Sequence, residues 1–287
     1  MDNKISTPLR TKLIMERYGF NLKKKFGQNF LIDQNILEGI VSGAELTKDD
    51  VVIEIGPGIG SLTQYLAESA KEVVAIEIDK ALIPILEETL TDYDNVTIIQ
   101  QDVLKVDLGQ LIKEKWNNQK VKVVANLPYY ITTPIIMGLF ESHIPLESIT
   151  VMIQKEVADR MQAKPSTKDY GSLTLAVQYY SNPEVVVQVP PSCFIPQPRV
   201  GSSVIRLKAT EHYKDMKLDD VFLFKVIKGS FQQRRKTLVN TLSHQEELNL
   251  SKDMIREALD EIQVSHTIRG EALYLDQFVQ LAKYLEI

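Results

Sequence analysis

Cysteine is almost absent from this chain of 287 residues: Cys193 stands alone. No intrachain disulfide can form, as expected of a protein kept in the reducing cytoplasm. Long apolar runs are lacking as well. No stretch reaches the roughly 20 apolar residues of a membrane helix, and the N-terminus has no apolar signal core, so a cytoplasmic location is expected. Ligand pairs for a metal are missing. His143, His212, His244 and His266 are scattered, with no second cysteine to join them, and no metal is expected. A global excess of positive charge is missing too. The formal net charge is −5, so any hold on nucleic acid must rest on local patches. Residues 1–30 form one: seven Lys/Arg face two acids, a net of +5, and the remainder therefore carries −10.

What is present is ordinary globular composition, 44% hydrophobic and 25% charged, enough for one large domain with a smaller one. Residues 8–18 read as a short amphipathic helix, 19–33 as a loop, and Asp33 as the cap of a helix over 34–42. From residue 50 the pattern becomes regular. Strands are expected at "DVVIEIG", "EVVAIEID", "NVTIIQQD", "KVKVVANLPY" and "SITVMIQKE". Helices are expected at "SLTQYLAES", at "KALIPILEETL" capped by Asp79, and after "TTP", where Pro134 suits a first turn. Alternating strands and helices imply an α/β fold, a mostly parallel sheet with helices on both faces. Two short strands follow, "PEVVVQVP" and "GSSVIRLKA", joined by a proline-rich loop that can present side chains reproducibly. Beyond about 210 only helices are expected, at 219–230, 232–243, 251–260 and 274–285. The expected domains are 1–209, with a basic segment over 1–32, and 210–287.

"EIGPGIGSLT" links the first regular strand to its helix. Gly56, Gly58 and Gly60 let the backbone turn tightly and approach a ligand. The dinucleotide fingerprint would need glycine at 61, where Ser61 stands, and no nucleoside-triphosphate loop is present. Glu77 ends the second strand, where an acid can accept both hydroxyls of a ribose. Asp102 ends the third, where it can accept from the exocyclic amine of adenine. A ligand with ribose and adenine but no pyrophosphate fits, and S-adenosylmethionine is the obvious candidate. Each feature alone has a plain alternative: a turn, and two solvated caps. Their recurrence at three successive strand ends favours the ligand.

"NLPYY" falls at the fourth strand end. Asn126 offers a carbonyl oxygen and Pro128 a backbone carbonyl, and together they can accept from an amino group. Tyr129 offers a flat face on which a base can stack, and Phe194, among Pro191, Pro196 and Pro198, is a candidate second wall. An adenine N6 is a poor nucleophile because its lone pair is delocalised. Two acceptors on its hydrogens localise that pair and stabilise the charge that develops on attack. The alternatives are a strand-ending turn for "LPY" and an ordinary core aromatic for Phe194.

The segments "KKKFGQNFLID", "VIEIGPGIGSLT", "AIEID", "QDVL", "NLPYYITTPII", "FIPQPRVGSSVIRL" and "FQQRRKTLVNTL" span nearly the whole chain. In them the sequence resembles the ribosomal RNA adenine dimethyltransferases, most closely the bacterial small-subunit (16S) branch. The resemblance implies a class I methyltransferase fold with a small helical C-terminal domain. It implies transfer of two methyl groups from S-adenosylmethionine to N6 of each of two adjacent adenosines in the 3′-terminal hairpin of 16S rRNA. The partner implied is an immature small ribosomal subunit, met by a monomer. By the same resemblance Asn29 and Leu31 contact the cofactor, and Gly56, in one loop with Gly58, lies under its amino-acid part. Glu77 binds the ribose, Asp102 meets the adenine, Asn126 faces both cofactor and target amine, and Tyr129 and Phe194 sandwich the base. Gly201 and Tyr130 depart from the residues common in that family. Lys23, Lys24, Lys25 and, on an expected helix, Arg234, Arg235, Lys236 are candidate phosphate contacts, although runs of three charges are more often plain solvated surface. Three other readings remain open: a large-subunit rRNA methyltransferase, a binding factor that has lost catalysis, and, disfavoured by Ser61, a nicotinamide enzyme.

Overall fold

The computed structural model describes residues 4–19, 29–213, 216 and 218–286. The chain divides into two compact units, Met1–Ala158 with Pro183–Ala209, and Asp159–Asn182 with Thr210–Ile287.

The first unit opens with α1 (Pro8–Arg17), capped by Thr7, whose hydroxyl accepts from the Arg10 N–H. A two-residue strand β1 (Phe30–Leu31) precedes α2 (Gln34–Gly43), and Asp33 caps α2 through the Ile36 N–H at 3.2 Å. The alternating part follows as β2 (Val51–Ile55), α3 (Ser61–Ser69), β3 (Glu72–Glu77), α4 (Ile83–Thr89), β4 (Val96–Gln100), α5 (Leu108–Trp116), β5 (Val121–Asn126), α6 (Thr132–Glu141) and β6 (Leu146–Gln154). After α7 (Lys155–Met161) and α8 (Ser172–Tyr180) come β7 (Ser181–Val189), β8 (Phe194–Ile195) and β9 (Ser202–Ala209). The seven-stranded sheet runs β4-β3-β2-β5-β6-β9-β7. Pairings among β2 to β6 are parallel, and β9 lies antiparallel to β6.

Every residue of β2 is buried, which is why its apolar run hardly alternates: the strand is covered on both faces. Leu37 and Ile40 of α2 and Leu62 and Leu66 of α3 pack with Val52, Val73 and Val124 in one core layer. Ile59, Leu82, Ile85 and Leu86 form another with Phe30 and Ile5. Register puts the strand ends on one edge. Ile55 pairs Ile76, Ile55 pairs Ala125, Glu77 pairs Gln100 and Asn126 pairs Met152. The loops after β2, β3, β4 and β5 therefore open at the same side. A separate antiparallel ribbon pairs Phe30 with Ile195 and Leu31 with Phe194, so the segment expected to be a plain loop is tied to the proline-rich one.

The second unit carries α8, α9 (Asp220–Ser230), α10 (Leu238–Leu242), α11 (Lys252–Glu261) and α12 (Leu275–Leu285). Tyr170, Leu175 and Tyr179 are buried in its core with Leu223, Val226, Ile255 and Phe278, and the Tyr170 hydroxyl donates to the Leu273 carbonyl at 2.7 Å. That packing explains why residues 159–182 group with the helical unit and not, as expected, with the sheet. Three helices went unread in the sequence, α5, α7 and α8. The first had a legible signal in Leu108, Ile112 and Trp116, spaced by four and all buried, behind the Asp107 cap. The helix expected over 232–243 is only α10; residues 231–236 form turns. Among the described residues no helix is long and apolar enough to cross a membrane.

Candidate functional site

One cavity opens at the shared strand edge. Asn29, Leu31, Gly56, Gly58, Glu77, Asp102, Asn126, Pro128, Tyr129 and Phe194 all line it. These ten positions come from six separate stretches of the chain, and the parallel register with the β1–β8 ribbon brings them together. The glycine loop follows β2. Gly56, Gly58 and Gly60 have φ of 69°, 63° and 89°, a region that side-chain-bearing residues enter at a cost. A Cβ on Gly58 would stand 3.1 Å from the Phe30 ring, whereas one on Gly56 would meet nothing within 4 Å. The loop thus keeps an open floor at Gly56 and carries an aromatic lid at Gly58.

Glu77 is 4% exposed. Its Oε1 accepts from the Asp79 N–H at 2.8 Å and its Oε2 from the Gly58 N–H at 3.3 Å. Burial raises its pKa above the usual carboxylate value, against the lowering by those N–H groups. Asp102 Oδ1 accepts from the Leu104 N–H at 3.1 Å, which fixes the carboxylate at the head of a 3₁₀ turn (103–105).

Asn126 is held by its own amide: Nδ2 donates to the Asn29 carbonyl at 3.2 Å. That bond assigns the orientation of the carboxamide and leaves Oδ1 as its acceptor. Pro128 departs from expectation. Its carbonyl, expected to be free, already accepts from the Ile131 N–H at 3.1 Å and the Thr132 hydroxyl at 3.2 Å, because it closes the turn that starts α6. The carbonyl of Leu127, which also lines the cavity, takes no hydrogen bond from the described residues. Tyr129 is half-buried, with its hydroxyl 2.7 Å from Ser202 Oγ, and burial raises its pKa. Phe194 is 2% exposed and packs with Leu31 and Leu37. It shapes the wall from within the core, and the ring that presents surface is that of Tyr129.

Lys23, Lys24 and Lys25 fall outside the described residues. Arg234, Arg235 and Lys236 sit on the turns before α10, not on a helix. Arg234 is a structural pin: its guanidinium donates to the carbonyls of Lys168 at 2.9 Å and of Thr167 and Tyr170 at 3.3 Å, and pairs with Glu271 at 3.1 Å.

Glu54, which was not read from the sequence, also lines the cavity, as does Tyr130, named there only as a departure from the family. Glu54 is 1% exposed and its Oε2 has no hydrogen-bond partner among the described residues. Desolvation, with the Glu77 charge beside it, pushes its pKa up to about 8. The available signal was an acid inside an otherwise apolar strand, "VVIEI". Ser61 Oγ, another lining group, is likewise buried without a partner among the described residues. Unpaired polar atoms around a cavity offer hydrogen bonds to whatever fills it.

Comparison with known proteins agrees with this geometry. A family model described as "Ribosomal RNA adenine dimethylase" matches residues 19–286. The "Ribosomal RNA small subunit methyltransferase A" of Lachnoclostridium phytofermentans is 59% identical, over 98% of each chain. Among solved structures, a dimethyladenosine transferase from Plasmodium falciparum superposes with a TM-score of 0.76 at 26% identity, covering 88% of this chain and 95% of that one. The 23S rRNA methyltransferase ErmE superposes with a TM-score of 0.67, also at 26% identity, over 90% and 100%. Matched along nearly its whole length, the chain belongs to the ribosomal RNA adenine dimethylase family.

Proposed function

We propose that this protein transfers methyl groups from S-adenosylmethionine to N6 of two adjacent adenosines in the 3′-terminal hairpin of 16S rRNA, giving dimethyladenosine at each. It does so in the cytoplasm, as a monomer acting on an immature small subunit. The observation that carries the reading is the convergence of Asn126 and Tyr129 with Glu77, Asp102 and the open floor at Gly56 on one cavity. The small-subunit substrate is favoured over the large-subunit one by the relative at 59% identity, against 26% for ErmE.

The donor set fits the cofactor. Glu77 has lone pairs left for ribose hydroxyls, Asp102 has an acceptor for an adenine amine, and Gly56 leaves room that a side chain would fill. When bound, S-adenosylmethionine supplies an electrophilic methyl on a sulfonium. The protein's part is to hold the target amine. Asn126 Oδ1 and the Leu127 carbonyl, in place of the occupied Pro128 one, accept its two hydrogens and favour the tetrahedral nitrogen. Tyr129 stacks on the base, which must leave its RNA stack to enter the cavity. No strong base is needed, since the amine proton becomes acidic once nitrogen carries the extra methyl.

Mass spectrometry of small-subunit RNA, taken from immature particles incubated with protein and S-adenosylmethionine, tests this. Dimethyladenosine is expected with the native chain. Asn126→Ala should lower the rate by about 10²-fold or more, the scale of one lost transition-state acceptor or donor. No dimethyladenosine from the native protein would end the reading, and an unimpaired Asn126→Ala would remove Asn126 from it.

A further inference from the structure

The cavity mouth carries apolar surface that neither the core nor the reaction uses. Tyr130 is 63% exposed and Ile78 46% exposed, and both line the cavity. Leu104, 51% exposed, directly follows Asp102 and Val103, which also line it. Consecutive tyrosines here part company. The Pro128–Ile131 turn directs Tyr129 inward to Ser202 and leaves Tyr130 facing solvent. An aromatic ring held in water at a pocket rim gains nothing from folding, and its flat face suits another flat group.

We propose that Tyr130 is a stacking platform for the nucleotide next to the target base. The proposal rests on the adenine-methylating reading above. A base drawn into the cavity leaves its chain neighbour at the mouth, unstacked on one side. Tyr129 and Tyr130 have Cα atoms about 3.8 Å apart, so one ring inside and one outside meet successive bases of a single strand. Tyr130 is then a positioning residue. It steadies the strand while the amine is presented to Asn126, and Ile78 and Leu104 shield that stack from water. Stacking tolerates any base, so the site recognises a splayed single-stranded step and not a particular neighbour.

Two measurements on the full chain test this. In the first, single-turnover methyl transfer to immature small-subunit particles is compared for the native protein, Tyr130→Ala and Tyr130→Phe. Transfer by Tyr130→Ala should fall by roughly 5- to 140-fold, the range set by loss of one base–aromatic stack. Tyr130→Phe should stay near native, and calorimetric affinity for S-adenosylmethionine should be equal in all three. In the second, a hairpin RNA carries 2-aminopurine beside the target adenosine. Its fluorescence should be quenched by the native protein and by Tyr130→Phe, and much less by Tyr130→Ala. Equal transfer or equal quenching by Tyr130→Ala overturns the proposal. Slower transfer with unchanged quenching also overturns it, by assigning Tyr130 to a protein on the particle. Failure of the native chain to methylate particle adenosines would overturn the underlying reading with it, and that outcome is distinct from a defect confined to the alanine variant.

Discussion

Replacing Glu54 by glutamine should remove a large part of the protein's pH-dependent stability. The carboxyl titrates at about 8 in the folded chain and near 4.5 as a free side chain. A raised carboxyl pKa means that the folded state holds a proton that the unfolded state releases. Stability from this group is therefore complete below pH 4.5, declines as pH rises toward 8, and is flat beyond. Each pH unit inside that window costs about 1.4 kcal/mol, and the step from pH 5 to pH 7 costs about 2.5 kcal/mol. For a unit of this size that lowers the melting temperature by about 5–10 °C. Glu77, also raised by burial, adds to the same trend and remains in the variant. The assay is thermal unfolding of native and Glu54→Gln protein at pH 5, 6, 7 and 8, read by circular dichroism. The native curve should fall with pH and the variant curve should be flatter by about the stated amount. Carbon NMR of the Glu54 carboxyl gives the midpoint directly. Parallel curves, or a midpoint below pH 6, would refute the claim that Glu54 is neutral in the native cavity.

Gly58→Ala places a Cβ at 3.1 Å from the Phe30 ring and at a φ of 63°. A loss of about 1–2 kcal/mol in unfolding free energy is expected, with weaker binding of S-adenosylmethionine by calorimetry. Arg234→Ala should destabilise the helical unit by about 1–3 kcal/mol, because three carbonyls and Glu271 lose their donor. Arg235→Ala with Lys236→Ala touches none of those bonds. It should leave melting unchanged while lowering RNA affinity and flattening its salt dependence by about one to two in logarithmic slope.

Much of this architecture follows from local chemistry. Apolar runs such as "VVIEI" and "VVAIE" are strands buried on both faces, and residue spacing alone marks the turn at Gly56–Gly60 and the acid at Glu77. A parallel sheet must gather such strand ends on one edge, so the neighbourhood of Gly56, Glu77, Asp102 and Asn126 was legible in the sequence. Legibility failed where the deciding partner is remote. The residues before α10 have helical composition, yet Arg234 trades helix geometry for carbonyls near residue 168. Residues 159–182 look like an extension of the sheet domain, yet Tyr170 and Tyr179 find their burial among α9 and α12.

The sequence by itself therefore determined the alternating fold, the edge where the strand-end loops gather and the identity of the groups that meet there, because these depend on periodicity and on which side chain ends which strand. Only the tertiary structure decided the state of those groups. The Pro128 carbonyl is occupied, Phe194 is sunk in the core, Glu54 is stripped of water, and Tyr130 is left outside. Solvation and hydrogen-bond partnership are properties of a packed surrounding, and no local stretch of chain carries them.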